Sequence, residues 1–419
     1  MKQYNAKNIL NIALAGHGGA GKTSIIESML YLSGASDRLG KIADGNTICD
    51  FDPEEVKRKA SVSTAVAPVE WKNKKLNFID TPGLFDFEGG LWEGVRAADT
   101  VMIAVSGKNG VSVGTEKAVK AAESRGLSKV FFVNGLCDES ARFYRVFETL
   151  KASFGPSVCP VVVPFIVDGQ ANCYVNLLEY KAYAYSPDGK VSEVPMPDMG
   201  DRLEGLRTAI YEAVAETSDE MFEKYFSGEA FTPEEVIVGV SRGVKSGAIS
   251  PVFCGDAINT FGIDQLLNGL VWLAPSAAEK SDEIGLDPDG NMVELSVNED
   301  GAPAAVVFKT IADPFVGKLS YFKVISGKVS PETPLVNMRT GNQERISKVM
   351  TVKGKKQEDA AYIGAGDIGA APKLQNTNTG DTLCSPVRKV TLDGVEYPNP
   401  CLSMAIYPKK KGEEDTVAQ

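Results

Sequence analysis

The sequence predicts two folded units in series: an α/β domain carrying an inserted subdomain, followed by a small antiparallel β-barrel. Three observations predict this. From residue 8 to about 276, short apolar runs alternate with segments of helical spacing. Between roughly 157 and 248 that rhythm breaks, and from Ala304 apolar residues alternate singly between glycine, proline and asparagine turns. At 419 residues the chain is too long for one core, and its 43% hydrophobic and 24% charged residues are an ordinary globular balance.

In chain order, Ile9 to Ala15, Leu76 to Ile79, Val101 to Val105, Val130 to Val133 and Pro251 to Cys254 are apolar nearly throughout. Strands of a sheet covered on both faces have this character. After the first strand Ile25, Ile26, Met29 and Leu30 recur at helical spacing, with Gly34 as a stop. Phe143, Val146, Phe147 and Leu150 repeat the pattern after the fourth strand. Both helices are expected on the sheet. Residues 1–276 therefore make the first domain, with an α+β insertion at about 157–248. Within the insertion Tyr174 to Tyr185 reads as a hairpin strand, Ser186-Pro187-Asp188-Gly189 as a turn, and the stretch from Gly200 as helical.

Residues 277–302 are acidic and polar, with Asp287-Pro288-Asp289-Gly290 as a turn, and suit a linker. Barrel strands are expected at Ala304 to Thr310, Lys318 to Ile325, Pro334 to Asn337, Glu344 to Thr351 and Asp367 to Ala371, in a domain spanning 303–397. Residues 398–419 read as the start of a third domain, with a strand at Cys401 to Tyr407 and a charged Lys409 to Asp415 segment opening a helix. One strand and a helical turn cannot bury a core, so the sequence is expected to be truncated there.

The formal charge of −11 argues against affinity for nucleic acid gained by neutralising many phosphates, and no strong sequence-specific nucleic-acid binding is expected. No window reaches the ~20 apolar residues of a membrane span, and the N-terminus MKQYNAKN has no apolar signal core. A cytoplasmic protein without a membrane partner is expected. The seven cysteines are scattered and contain no CxxC pair, so neither a disulfide framework nor a zinc site is suggested. The only histidine is His17.

Gly16-His17-Gly18-Gly19-Ala20-Gly21-Lys22-Thr23, followed by Ser24, fits GxxxxGK[ST] between a strand and a helix. Glycines let backbone N–H groups converge on phosphate oxygens, Lys22 neutralises the β and γ charge, and the Thr23 hydroxyl can ligate Mg²⁺. A P-loop domain follows from this. Asp80-Thr81-Pro82-Gly83 closes the second strand, where Asp80 can hold a metal-bound water and Gly83 can offer its N–H to a γ-phosphate. Together these motifs separate GTPase-like proteins from kinases and other ATPases.

The glycine loop, DTPG, Gly135-Leu136-Cys137-Asp138, the insertion and the barrel phrases Lys309 to Pro314 and Thr379 to Cys384 together resemble translation elongation factor G. The loop is most similar to paralogue-like members reading GHGG rather than GHVD. The resemblance implies a ribosome-dependent GTPase using GTP/GDP and Mg²⁺, acting as a monomer with the ribosome as partner. The family has five domains, of which this chain carries the first two and the start of a third.

Several positions depart from the family pattern. Leu84 stands where a histidine usually orients the attacking water, and leucine cannot polarise water. The base-reading NKxD motif becomes Asn134-Gly135-Leu136-Cys137, with Asp138 one position late. A bulge could bring Asp138 to the base; otherwise Asp138 and Glu139 begin a helix as N-terminal acids. The last base-contacting segment, usually Ser-Ala, is Asp256-Ala257. Ala257 can present its N–H to a base oxygen, while Asp256 either replaces the missing carboxylate or caps a helix from Ile258 to Leu270.

The first switch is expected between 37 and 64. By alignment Ser61 takes the Mg²⁺-sensing position, with Ser63 and Thr64 as rivals, and the charged run Asp52 to Lys59 reads as a solvated loop. Phe85, Phe87 and Trp92, after DTPG, are expected to pack on the barrel or the sheet. Two functions remain open: a translational GTPase with altered base and water positions, or a nucleotide-binding interaction module with little hydrolysis and relaxed base selectivity.

Overall fold

The structure is a computed structural model that describes residues 2–186, 189–280, 282–313, 317–400 and 402–418. Its first domain opens with β1 (Ile9–Ala15), α1 (Lys22–Leu32), α2 (Pro53–Arg58), β2 (Ala65–Trp71) and β3 (Lys74–Asp80). There follow α3 (Gly89–Ala97), β4 (Thr100–Ser106), α4 (Val113–Ser124), β5 (Ser128–Asn134) and α5 (Phe143–Phe154). Next come β6 (Val158–Pro160), β7 (Val162–Val167), β8 (Gln170–Asn176), β9 (Lys181–Tyr185), β10 (Val191–Val194), α6 (Asp201–Ala215), α7 (Asp219–Phe226) and α8 (Pro233–Ser246). The series closes with β11 (Ser250–Cys254) and α9 (Ile263–Leu273).

The main sheet has the order β2-β3-β1-β4-β5-β11-β6, parallel except for β2, which runs antiparallel to β3. The apolar runs are buried as expected, with all seven residues of β1 inaccessible. Asn11 is tolerated there because its amide donates to Asp99 and to the Gly366 carbonyl and its oxygen accepts from Asn77.

Several local expectations are corrected. Tyr174 to Tyr185 is two antiparallel strands, β8 and β9, because Leu177 to Tyr180 turn the chain and Tyr180 takes a positive φ. Val158–Pro160, expected in the insertion, is instead the edge of the main sheet, paired in parallel with Ser250–Val252. The insertion proper is the sheet β10-β9-β8-β7 with α6 to α8. Of its expected turn, Pro187 and Asp188 lie outside the described residues. The charged run after Asp52 is α2, not a loop. Asp52 accepts from the Glu54 N–H, Glu55 accepts in return from the Asp52 N–H, and Pro53 sits at the first helical position.

The segment expected as a linker contains β12 (Glu283–Leu286) and β13 (Met292–Leu295), joined by the expected turn at Asp287 to Gly290. An antiparallel β-rich domain follows: β14 (Ala304–Asp313), β15 (Gly317–Ser326), β16 (Lys328–Val329), β17 (Pro334–Asn337), β18 (Gln343–Arg345) and β19 (Val349–Lys353). It ends with β20 (Lys356–Ala360), β21 (Ile363–Gly364), β22 (Ile368–Pro372), β23 (Thr382–Cys384) and β24 (Thr391–Leu392), the last pairing with β12. The large sheet has the order β18-β17-β23-β14-β15-β22-β19-β20. The expected strand Glu344 to Thr351 is split because β18 sits at one edge while β19 pairs at the far side with β20 and β22. Alternation along β14 sends Ala305 and Val307 into one core and Ala304 and Val306 into another, the period-two pattern on which the domain was predicted. Leu402 to Tyr407 form no strand, Cys401 lies outside the described residues, and the terminal helix is Glu414–Ala418.

Buried ion pairs join the two domains. Lys75 of β3 donates to both oxygens of Asp367 at 2.8 and 2.7 Å, and Asn77 donates to the same carboxylate. Lys323 of β15 donates to Asp99, and Arg96 of α3 donates to both oxygens of Glu283. Each sits where an unpaired charge would cost several kcal/mol.

Candidate functional site

Loops following the carboxyl ends of β1, β3, β4, β5 and β11 converge on a cleft of about 620 Å³. This end of a parallel sheet is where open α/β folds bind ligands, since helix N-termini and loops gather there. Gly18 to Ser24, Gly83, Leu84, Asn134, Asp138, Asp256 and Ser61 line the cleft, together with Asp50, Lys108, Cys137 and Asn259. Gly16, His17, Asp80 and Ala257 stand behind this lining.

The glycine loop leads into α1, whose first residues are Lys22 and Thr23. Lys22 is 6% exposed and donates to the Gly16 and His17 carbonyls at 3.1 and 3.2 Å. Desolvation lowers its pKa, opposed by the charges of Asp80 and Asp50. A side chain at 83 is excluded by backbone, because a Cβ there would lie 2.8 Å from the Gly18 nitrogen, besides crowding the Lys22 ammonium. Gly21 has φ +90, and a Cβ on it would meet the Asn134 amide at 2.2 Å.

Thr23 Oγ1 donates to Asp80 Oδ2 at 2.7 Å and lies 3.2 Å from Ser61 Oγ. The structure thus brings together the three residues expected around a metal, while Ser63 and Thr64 are engaged by Lys309 and Gly90 instead. Asp50 joins this group unforeseen. It is 5% exposed, with the Ser61 and Thr23 hydroxyls nearby, yet neither of its carboxylate oxygens nor Asp80 Oδ1 makes a hydrogen bond of good geometry among the described residues. Desolvation, and after it the Asp50 charge, raises the Asp80 carboxyl to about 7. Burial raises Asp50 as well, against the pull of Ser61 and Lys22. Two buried carboxylates and two hydroxyls are a hard-oxygen set with negative charge to neutralise, which fits Mg²⁺. A cation there would neutralise the carboxylates and polarise phosphate oxygens.

Asn134 braces the loops from within. Its amide donates to the Ala20 carbonyl at 3.0 Å and its oxygen accepts the Ala257 N–H at 2.9 Å, so that N–H already has a partner. Asp138 and Glu139 do not begin a helix: α5 starts at Phe143 and Asp138 lies in a turn. The Asp138 carboxylate accepts from the Ser140 N–H at 2.8 Å and pairs with exposed Lys108 at 3.5 Å. Asp256 caps no helix either, since α9 starts at Ile263 after Gly262. Its carboxylate instead accepts from Cys137 N, Asn259 N and Asn259 Nδ2, closing a turn whose backbone pairs Asp256 with Phe261. Desolvation, and after it the Asp256 carboxylate, pushes the Cys137 thiol up to about 11.

Leu84 is 39% exposed at the cleft mouth, over Gly18. The His17 ring packs edge-on against Phe85 at 5.7 Å, away from the cleft lining. Phe85 also receives Lys117 at 5.0 Å and Phe87 lies under Arg58, so these rings pack on side chains of the first domain; Trp92 packs on the main core.

Residues 7–276 match the family described as Elongation factor Tu GTP binding domain, and residues 302–386 match Elongation factor G domain 2. A solved crystal structure of a protein from Thermus thermophilus is similar, with 29% sequence identity and a TM-score of 0.87. The match covers 98% of this chain and 60% of that one, so this chain spans less than two thirds of the relative's length.

Proposed function

The chain belongs to the elongation factor G family of translational GTPases, and on that premise we propose that its cleft binds GTP and GDP with Mg²⁺ in a ribosome-associated factor. The observation that carries the reading is the meeting of Lys22, Thr23, Ser61, Asp80 and Asp50 below the glycine loop, a cation and a cation-binding set side by side. Lys22 and the loop N–H groups hold the phosphates, and Thr23, Ser61 and Asp80, with Asp50, hold the metal. The ribosome as partner, a monomeric state and a cytoplasmic location rest on the family. In the chain itself, no described helix is long and apolar enough to cross a membrane.

Base reading is where this member departs. Asp138 is turned to Ser140 and Lys108, Asp256 is occupied by Cys137 and Asn259, and no lysine stem follows Asn134. Phosphate and metal contacts involve full charges, whereas a neutral base hydrogen bond contributes only ~1 kcal/mol net and a charged one ~2 to 3. Binding is therefore retained while discrimination falls. Competition titrations with GTP, GDP, ATP and xanthosine triphosphate are expected to give a GTP preference over ATP well below the roughly 10⁴-fold that a hydrogen-bonding pocket can reach. A preference of that full size would overturn relaxed selectivity and return Asp138 or Asp256 to the base.

Hydrolysis is expected to be slow, because Leu84 leaves no side chain to orient water. That same feature favours the alternative, an interaction module that binds nucleotide with little or no turnover. Leu84→His, assayed with ribosomes present, is expected to raise GTP turnover by roughly 10²-fold, the usual reach of a positioned general base. Unchanged turnover would mean that another group holds the water.

A further inference from the structure

A lysine of the second domain reaches into the segment that carries Ser61. Lys309, on β14, is 5% exposed, and its ammonium donates to Ser63 Oγ at 2.6 Å and to the Thr64 carbonyl. Those acceptors stand two and three residues beyond Ser61, whose hydroxyl faces Thr23. The ammonium feels the charges of Glu93, on α3, the helix that follows DTPG, and of Glu55; the Glu93 carboxylate accepts from the Tyr397 hydroxyl at 3.2 Å. Thr64 is tied to the same helix, since its hydroxyl donates to the Gly90 carbonyl at 2.8 Å. One ammonium thus sits between the segment after Ser61, the helix after Gly83 and the β-rich domain.

Apolar packing does not close this junction. A cavity of about 240 Å³ separates the Ser61 segment from β14, lined by Phe51, Ser63, Thr64, Ile311 and Lys309 among others. Dispersion across such a gap is weak, because the facing atoms lie beyond contact distance. The directional bonds of Lys309 therefore fix the segment from the second-domain side, as Glu55 does from within by accepting the Val62 and Ser63 N–H groups at 3.1 and 3.2 Å.

We infer that Lys309 is a positioning residue, holding the Ser61 segment in the arrangement that presents the Ser61 hydroxyl to a nucleotide-bound Mg²⁺. This rests on the proposed metal role of Ser61 and adds a dependence of that role on the β-rich domain. Ser61 acts only through the metal, so loss of Lys309 weakens the metal-dependent part of binding and spares the rest.

The test is titration of a non-hydrolysable GTP analogue against the full chain, across a Mg²⁺ series and in EDTA. Lys309→Met is expected to raise the half-saturating Mg²⁺ by about tenfold, 1.4 kcal/mol, and to leave the affinity in EDTA within about twofold. Ser63→Ala, which keeps the ammonium and its bond to the Thr64 carbonyl, is expected to shift it the same way by about threefold. If Lys309→Met does not fold because the half-buried Glu93 loses the charge facing it, Lys309→Met with Glu93→Gln removes both charges and is read instead. An unchanged Mg²⁺ dependence in the folded variants, or an equal loss in EDTA, overturns the inference. A wild-type chain that binds the analogue without any Mg²⁺ dependence overturns the metal site itself, and this inference with it.

Discussion

Lys22→Met is expected to weaken binding of a GTP analogue by roughly 10²- to 10³-fold, the loss of one or two charge-assisted contacts of ~1.5 to 3 kcal/mol each. The methionine chain has nearly the length of the lysine stem, so the space under the glycine loop stays filled. The ammonium is already desolvated, which lowers its pKa, and its bonds to the Gly16 and His17 carbonyls are long at 3.1 and 3.2 Å. Removing it therefore costs the fold little, and the thermal midpoint of the nucleotide-free protein is expected to move by only a few degrees, about 1 kcal/mol. Titration of a fluorescent GTP analogue beside a thermal melt separates the two effects. A loss of affinity below about tenfold (1.4 kcal/mol) would remove Lys22 from the phosphates.

Asp367→Ala is expected to destabilise the protein by ~3 to 5 kcal/mol, although Asp367 lies far from the cleft. Its carboxylate accepts from Lys75 twice, from Asn77 and from the Ile368 N–H. The paired side chains are 3% and 6% exposed, so solvent cannot replace the lost partner. The substitution leaves the Lys75 ammonium buried between the domains with no carboxylate, and breaking a buried pair from one side is far costlier than breaking an exposed one. Denaturant unfolding, followed with probes in each domain, reads the result. A loss under ~1 kcal/mol would mean that water or a neighbouring acceptor takes over the lysine.

Much of the first domain was legible because its signals are local. The strand before the loop, Gly16 to Thr23, and the α1 pattern of Ile25, Ile26, Met29 and Leu30 follow one another without a break in the chain, and the structure builds each of them as read. Pro334–Asn337 was equally clear, since a period-two run between turns needs no distant information. The capping box at Asp52 is also present in the residues, as Asp-Pro-Glu-Glu, but the same charges suit a solvated surface loop equally well.

Asp50 had no such signal. Its residue type is common in surface loops, and only its burial beside Thr23, Ser61 and Asp80 places it with the residues proposed to hold a cation. The same holds for Asp256, whose place in a turn is set by Cys137 and Asn259, and for Ser61 against its rivals Ser63 and Thr64, which are separated by what Lys309 reaches from 245 residues away.

By itself the sequence determined the glycine loop between strand and helix, the alternation of strand and helix, the change to period-two strands after Ala304 and the presence of Leu84 directly after Asp80-Thr81-Pro82-Gly83. Each is a matter of side-chain period or residue type within a few positions, which the chain carries locally. Only the tertiary structure decided that Val158–Pro160 extends the main sheet, that β12 pairs with both β13 and β24, that Asp50 is buried beside Thr23, Ser61 and Asp80 and that Lys75, Lys309 and Lys323 tie the second domain to the first. A buried charge or an edge strand takes its meaning from partners up to some 290 residues distant. Desolvation and pairing arise there only once the chain has folded.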